Sequence, residues 1–341
     1  MSAGLNQQLA VEPIEAEMEQ GSPGFLPAAT AAEVLEGLAQ SPKTISPKYF
    51  YDQKGSALFD AITRVDDYYL PRIEQQIFEE YRLEMCTAIG AGATLIEPGA
   101  GSCEKVKWLL PELQPEVYMP MDISAEHLEE SVAALKSIYP ELHVTPQVRD
   151  HTRDMNIDID GAAARPVFFY PGSSIGNFDP AAAEDFLRGM LTQLQSQALR
   201  GSAPGGLLIG VDAKKESSVL NAAYNDREGL TAEFNVNALS HLNDLLEGNI
   251  PVENFEHHAF YNEQEGRIEM HLRCIKSHSA QLAGQHLAFT ENELLHTEFS
   301  YKYRPEEFIA LAARAGFGIK QLWQDSRDWY SFMYFEPASS E

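Results

Sequence analysis

Two hydrophobic periodicities divide the chain. From Ala28 to Leu38, and again from Glu74 to Ile89, apolar residues return every three or four positions, the spacing of one helix face. Ala57 to Ile62 carries a shorter version of the same pattern. Beyond about residue 93 the grammar changes. Short apolar runs at Thr94–Glu97, Val117–Met121, His143–Val148, Pro166–Tyr170 and Gly206–Val211 alternate with helical stretches at Glu104–Leu110, up to Leu135, and at Ala181–Ala198. Each run ends in glycine-rich or acidic sequence: Pro98-Gly99-Ala100-Gly101-Ser102, Asp122, Asp150, Pro171-Gly172-Ser173-Ser174 and Asp212. Runs without polar alternation are strands buried on both faces, and strands alternating with helices predict a parallel, doubly wound α/β sheet.

The next stretch breaks that rhythm. Leu220 to Leu246 is helical and rich in Asn, Glu and Leu, and strand-like alternation follows at His257–Tyr261, Arg267–Ile275 and Leu287–Tyr303. A last helix, Pro305–Ala315, and two strands near Lys320–Trp323 and Trp329–Phe335 return the chain to the first sheet. The reading is therefore a flexible acidic arm at 1–24, an α/β unit from 76–213 and 303–341, and a smaller α+β unit from 25–75 and 214–302.

Composition narrows the function classes. The 341 residues carry 51 acidic and 25 basic side chains, a net charge of −26. Such a surface repels phosphate backbones and anionic lipid, which argues against nucleic acid and membrane partners and leaves a neutral or cationic small molecule. Three scattered cysteines make a disulfide framework an unsuitable explanation of the fold. Residues 1–20 have no basic segment leading into an apolar core, and no apolar run reaches about 18 residues, so a cytoplasmic protein is expected. It is expected to act as a monomer.

The chemistry sits at the strand ends. The loop at 97–102 joins a strand to a helix, where glycines let backbone approach a ligand. Glu104 stands where a dinucleotide fingerprint needs its third glycine, so the pyrophosphate signature is broken. Asp122, about twenty residues on, is the acid expected for a ribose diol, and Asp150 at the next strand end is placed to read an adenine amino group. Acids on consecutive strands of one sheet favour a nucleoside cofactor without pyrophosphate, S-adenosylmethionine rather than NAD, over two unrelated helix caps. His257, His258, His271 and His296 lack metal-site spacing, so no metal is expected.

Six ordered segments sharpen this reading. YFYDQKGSALFDAITRVDDYYLPR (49–72), EPGAGSCEK (97–105), PGSSIGNF (171–178), AYNDREGLTAEFNVNALSHLN (223–243), GRIEMHLR (266–273) and TEFSYKY (297–303) resemble the histidine-specific, S-adenosylmethionine-dependent Nα-methyltransferases of ergothioneine biosynthesis. The resemblance implies a Rossmann-like class I methyltransferase sheet with a second, smaller substrate domain. It places Gly99, Gly101, Lys105, Asp122, Asp150 and Gly172 at the cofactor. It places Asn177, Tyr68 and Tyr224 around the substrate's α-amino and carboxylate end, and Tyr51 beside the reacting amine, with Tyr51 and Asn177 as the catalytic pair. Glu298 and Ser300 would bind the imidazole ring, and Met270 would line its pocket.

The activity implied is methylation of the α-amine of L-histidine up to the trimethylated betaine, hercynine; the alternative is N-methylation of another aromatic amino acid or amine, with Glu298 and Ser300 as the discriminating residues. One departure stands out: Tyr68-Tyr69-Leu70-Pro71-Arg72 replaces the family's usual Tyr-Tyr-Pro-Thr-Arg, shifting the proline and removing a hydroxyl.

Overall fold

The computed structural model describes residues 28–152, 155, 157, 165–199, 201–202 and 205–338. The acidic arm at 1–24 lies outside the described residues. The N-terminal segment supplies α1 (Ala28–Ala39), β1 (Lys43–Thr44), α2 (Gln53–Ile62) and α3 (Leu70–Ile89). The α/β run follows with β2 (Ala93–Pro98), β3 (Val117–Asp122), α4 (Ala125–Ile138), β4 (Gln147–Val148), β5 (Arg165–Tyr170), α5 (Pro180–Leu199) and β6 (Gly206–Asp212). Then come α6 (Ser217–Tyr224), α7 (Leu230–Leu245), β7 (Phe255–Asn262), β8 (Arg267–Cys274), β9 (His278–Leu282), β10 (Gln285–Phe289) and β11 (Leu294–Tyr301). The chain closes with α8 (Pro305–Arg314), β12 (Phe317–Gln324) and β13 (Tyr330–Pro337). No described helix is long and apolar enough to cross a membrane.

Seven strands form the main sheet in the order β12-β13-β6-β5-β2-β3-β4. The five from β4 to β6 run parallel, and β13 enters antiparallel to β6. Alternation explains how both faces are covered. Val167 and Phe169 face the core shared with α3, while Phe168 and Tyr170 face the core shared with α5 and α8. The chain enters at β2, builds outward to β4, then crosses to β5 on the other side. The crevice beyond the carboxyl ends of β2 and β5 is the topological switch point, where such sheets bind ligands.

A second sheet, in the order β1-β11-β8-β7, carries the material inserted between β6 and β12. Its edge strand β1 comes from the N-terminal segment and pairs parallel with β11, Lys43 opposite Leu295. Several expected elements differ in detail. The helix expected across 220–246 is two helices, because Asp226 accepts the Leu230 and Thr231 amide hydrogens at 2.9 and 2.7 Å and starts α7 afresh. The strand-like alternation expected over 287–303 falls on β10 and β11, separated by a turn with Asn292 at φ 70°. The helix expected over 104–110 is only a 3₁₀ turn, Lys105–Trp108, and the strand expected over 143–148 is only β4 plus a single bridge at Val144. Helix α3 starts before Glu74, with Pro71 in its first turn, where its missing N–H is not needed.

Candidate active site

At the switch point the loop after β2 is tied to β3. The Ala100 N–H donates to the Met121 carbonyl at 2.9 Å, and the Gly101 N–H donates to Asp122 Oδ2 at 3.0 Å. Asp122 Oδ1 takes the Ser124 N–H at 3.0 Å, so this carboxylate is held by backbone and keeps lone pairs for further donors. Asp150 accepts from the Thr152 N–H and hydroxyl and lies 3.6 Å from Lys48 Nζ. Beneath the loop Glu97 is buried, accepts the Tyr118 hydroxyl at 2.6 Å, and has its pKa pushed up to about 8 by burial.

Lys105 and Gly172 meet through a residue that motif reading passed over. Glu74 on α3 is fully buried and accepts the Gly172 N–H at 2.6 Å, Lys105 Nζ at 2.6 Å and the Tyr330 hydroxyl at 2.6 Å. One carboxylate thus pins the loop after β5, the glycine-loop lysine and strand β13. Glu74→Ala is expected to cost about 2–4 kcal/mol, because it leaves the buried Tyr330 hydroxyl, the Gly172 amide and a half-buried lysine without their acceptor. Chemical denaturation should read that loss, and S-adenosylmethionine titration of the remaining folded fraction should read weakened cofactor binding. An unchanged unfolding midpoint would show that the hub is dispensable.

The second cluster is a cavity of about 60 Å3 beside this crevice. Seven separated segments line it: Tyr51 with Phe59 and Ile62, Tyr68 with Leu70, the Gly172–Asn177 loop, Tyr224 on α6, Phe234 on α7, Met270 on β8, and Glu298 with Ser300 on β11. Local sequence explains how each arrives. Asp52 caps α2 by accepting the Gly55 N–H at 2.6 Å, and Asn237 on α7 donates to the same carboxylate oxygen at 2.8 Å. Any side chain at Gly55 would start 1.7 Å from the Phe50 carbonyl oxygen, so the turn that presents Tyr51 requires glycine. Gly176 lets the loop after β5 lie on β11, since a Cβ there would stand 2.6 Å from the Tyr301 carbonyl oxygen.

Strand β11 delivers its two polar residues through a bulge. His296 pairs with His271, but Glu298 already pairs with Met270, so Thr297 is an extra residue. The bulge reverses the phase of the strand. His296, Phe299 and Tyr301 share one face, with ring centroids 3.8 Å and 6.1 Å apart along the row, and Glu298 and Ser300 turn to the cavity.

The electrostatics are unusual for a small cavity. Burial pushes the Glu298 pKa up to about 7, with Lys302 pulling against it, and Asn177 Nδ2 donates to Glu298 Oε2 at 3.2 Å. Burial also raises Tyr51, Tyr68 and Tyr224, so each remains a neutral phenol at physiological pH. The Tyr224 hydroxyl donates to Ser300 Oγ at 2.9 Å. Behind them lies a buried charge network of Asp212, Lys215, Lys302 and Tyr69. Asp212 Oδ2 accepts Lys302 Nζ at 2.9 Å and the Tyr69 hydroxyl at 2.7 Å, and Lys215 pairs with Oδ1. Burial alone would raise Asp212; the two ammonium groups outweigh it and hold its pKa below the usual range. Burial brings Lys215 down to about 8 despite Asp212.

The expected site residues therefore fall in two adjoining groups. Gly99, Gly101, Lys105, Asp122 and Asp150 stand at the strand ends. Tyr51, Tyr68, Gly172, Asn177, Tyr224, Met270, Glu298 and Ser300 line one cavity, with Gly172 joining the groups. Sequence reading assigned no role to Glu74, Asp212, Lys215 or Lys302. The signal available was slight: Asp212 ends a strand and Lys302 lies inside the TEFSYKY segment. Cavity size is no guide either, because a depression of about 470 Å3 lies on the surface by Asp66, Arg72 and Trp329 and contains none of the expected site residues.

A parallel sheet of this order with a single antiparallel return, carrying a glycine loop and two strand-end acids beside a small polar-tipped cavity, is a class I S-adenosylmethionine-dependent methyltransferase. A model of histidine-specific, S-adenosylmethionine-dependent methyltransferases matches residues 30–337, and the chain belongs to that family. It is 37% identical over 313 residues to histidine N-alpha-methyltransferase of Mycolicibacterium smegmatis, covering 88% of this chain and 94% of that protein. The Mycobacterium tuberculosis protein of the same name is 34% identical over 300 residues, covering 86% and 90%. Ergothioneine biosynthesis protein 1 of Neurospora crassa is 30% identical over 271 residues, covering 74% of this chain and 30% of that larger protein.

S-adenosylmethionine is the methyl donor. The residues present fit it: two strand-end carboxylates offer acceptors to hydroxyl and amino groups, and a glycine loop leaves backbone beside them.

Proposed function

We propose that this protein methylates the α-amino group of L-histidine, continuing to the trimethylated betaine hercynine on the route to ergothioneine. The observation that carries the proposal is the pair Glu298 and Ser300, two buried polar side chains side by side in a cavity that they share with Tyr51, Phe59, Phe234 and Met270 as well as Tyr68, Tyr224 and Asn177. A buried carboxylate and hydroxyl facing rings need a ligand with polar atoms at its tip, and an imidazole has a nitrogen for each.

When bound, S-adenosylmethionine supplies a methyl group on a sulfonium, already a good leaving group. The chain's own residues have to align and desolvate the amine. Asp122 and Asp150 would hold the cofactor's nucleoside end, and Lys105, anchored by Glu74, would serve its amino-acid end. Asn177 and the Tyr51 hydroxyl orient the amine lone pair toward the methyl carbon, and Tyr68 and Tyr224 close around the substrate carboxylate. The α-ammonium has to give up a proton before each of the three attacks, and hydrogen bonds from the amine to the Asn177 side-chain oxygen and the Tyr51 hydroxyl would favour its neutral form. None of the three tyrosines is a standing base, so alignment and exclusion of water carry the rate. On this reading residues 76–213 with 303–341 form the cofactor unit, and 25–75 with 214–302 form the substrate unit.

Mass spectrometry of products from a panel of amino acids with S-adenosylmethionine tests the proposal. Histidine alone should gain one, two and three methyl groups. Methylation of tryptophan, tyrosine or phenylalanine with histidine untouched would transfer the assignment to another aromatic amine.

A further inference from the structure

Lys302 touches the cavity only through others, yet it limits what one wall can offer. It is 1% exposed and follows β11 directly. Its Nζ donates to Ser300 Oγ at 2.9 Å, to the Tyr224 hydroxyl at 3.3 Å, and to Asp212 Oδ2 at 2.9 Å. An ammonium has donors and no acceptor, whereas a serine hydroxyl has two acceptor positions and one donor. Ser300 Oγ receives both Lys302 and the Tyr224 hydroxyl, so its acceptor positions are filled. Only its O–H remains, and Ser300 lines the cavity. Glu298, two residues away on the same face, presents an acceptor when ionised.

We propose that Lys302, held by Asp212, is a positioning residue that locks Ser300 as a hydrogen-bond donor, so that the cavity accepts only a neutral imidazole in one tautomer. The ring's N–H goes to Glu298 and its bare nitrogen receives the Ser300 hydroxyl. Residues two apart on a strand stand roughly 6.8 Å apart, room for a five-membered ring between two hydrogen bonds. An imidazolium, with a donor on both nitrogens, meets a donor at Ser300 and is rejected. The inference rests on the functional reading above and adds which protonation state and tautomer are taken.

The titratable groups facing this point are Tyr51 before α2, Tyr68 before α3, Tyr224 on α6, Glu298 on β11 and Lys302 after it, with Asp212 and Lys215 behind. Their protonation acts alike on two neutral rings of the same shape. The ratio of the two substrates therefore reports how the site treats the charged imidazolium.

The experiment compares histidine with 1,2,4-triazolylalanine, whose ring stays neutral through mildly acidic pH, in wild type and in Lys302→Met. In wild type the ratio of kcat/KM for histidine to that for the triazole should fall by about tenfold per pH unit below the imidazole pKa of ~6.5. In Lys302→Met, which frees a lone pair on Ser300, that fall should be largely lost, and KM for histidine at pH 8 should rise by ~30-fold with cofactor affinity unchanged. Ser300→Ala combined with Lys302→Met should be no worse than the worse single variant by more than ~threefold, because one acts through the other.

A flat ratio in wild type overturns the inference and needs no variant, so it decides the matter even if Lys302→Met does not fold. An unchanged slope in Lys302→Met, or additive losses in the double variant, overturns it as well. Absence of any histidine methylation by wild type instead overturns the functional reading itself.

Discussion

Glu298→Ala is expected to lower kcat/KM for histidine by at least about a thousandfold while leaving S-adenosylmethionine affinity within about threefold of wild type. The size follows from what the variant removes. A histidine ring entering the truncated site would bury an N–H without an acceptor, and the Asn177 amide would lose the carboxylate oxygen 3.2 Å away that orients it. Apolar aromatic amines lose nothing by the change, so the preference for histidine should narrow or invert. Steady-state kinetics with histidine and a phenyl analogue, alongside cofactor titration, would measure both. Unchanged histidine turnover would remove Glu298 from the site.

The same side chain sets a pH dependence. Its pKa is about 7, so below that pH it takes up a proton and loses the negative charge that receives the ring N–H. Activity toward a ring that itself stays neutral should therefore fall as pH drops through about 7, and Glu298→Gln should flatten that limb.

Insertion of one alanine between Glu298 and Phe299 is the second large effect. Thr297 is the extra residue of the bulge, opposite the Met270–His271 step, and its hydroxyl bonds the Met270 carbonyl at 3.1 Å. Because His296 already pairs with His271 and Glu298 with Met270, deletion of Thr297 makes the ladder regular without moving Glu298 or Ser300 to the other face. An added residue after Glu298 instead shifts everything beyond it by one position, which exchanges the two faces. With Glu298 still opposite Met270, Phe299 would take the place of Ser300 opposite Ile268 and turn to the cavity, and Ser300 would turn away from it. Methylation of histidine should drop by at least about a hundredfold while S-adenosylmethionine still binds, since the glycine loop, Asp122 and Asp150 lie on the other sheet. Deletion of Thr297, which keeps the pairing, should retain activity within about tenfold. Full activity surviving in the insertion, measured beside a thermal melt that proves it folded, would refute the phase argument.

Much of the main sheet was legible because its strands are buried on both faces. Leu95 and Ile96, Val167 to Tyr170, and Leu207 to Val211 are continuous apolar runs, and the reversal from chain to ligand is marked at each end by Gly99, Asp122 or Gly172. The inserted region was less legible for a physical reason. Its sheet has one face against α6 and α7 and another partly in water, so apolar and polar residues alternate, and the turn at Gly229 interrupts a pattern that reads as a single helix. Periodicity could not place the breaks, because Asp226 ends one helix and starts the next through side-chain bonds that a hydropathy pattern does not carry.

By itself the sequence determined the succession of strands and helices in the parallel sheet, the position of the glycine loop with its two acids, and the segments that bear the tyrosines, Asn177, Glu298 and Ser300. The first two follow from local rules, namely apolar runs, glycine at turns and acids at strand ends; the last follows from the resemblance of six ordered segments to a known family. Tertiary structure alone decided which way those side chains face and what holds them. The phase reversal at Thr297, the Glu74 hub that ties Lys105 to Gly172, and the Asp212–Lys302 pair behind Ser300 join residues separated by between 27 and 98 positions. A buried charge is stable only beside its partner, and that partner is chosen by packing in three dimensions, which no local pattern records.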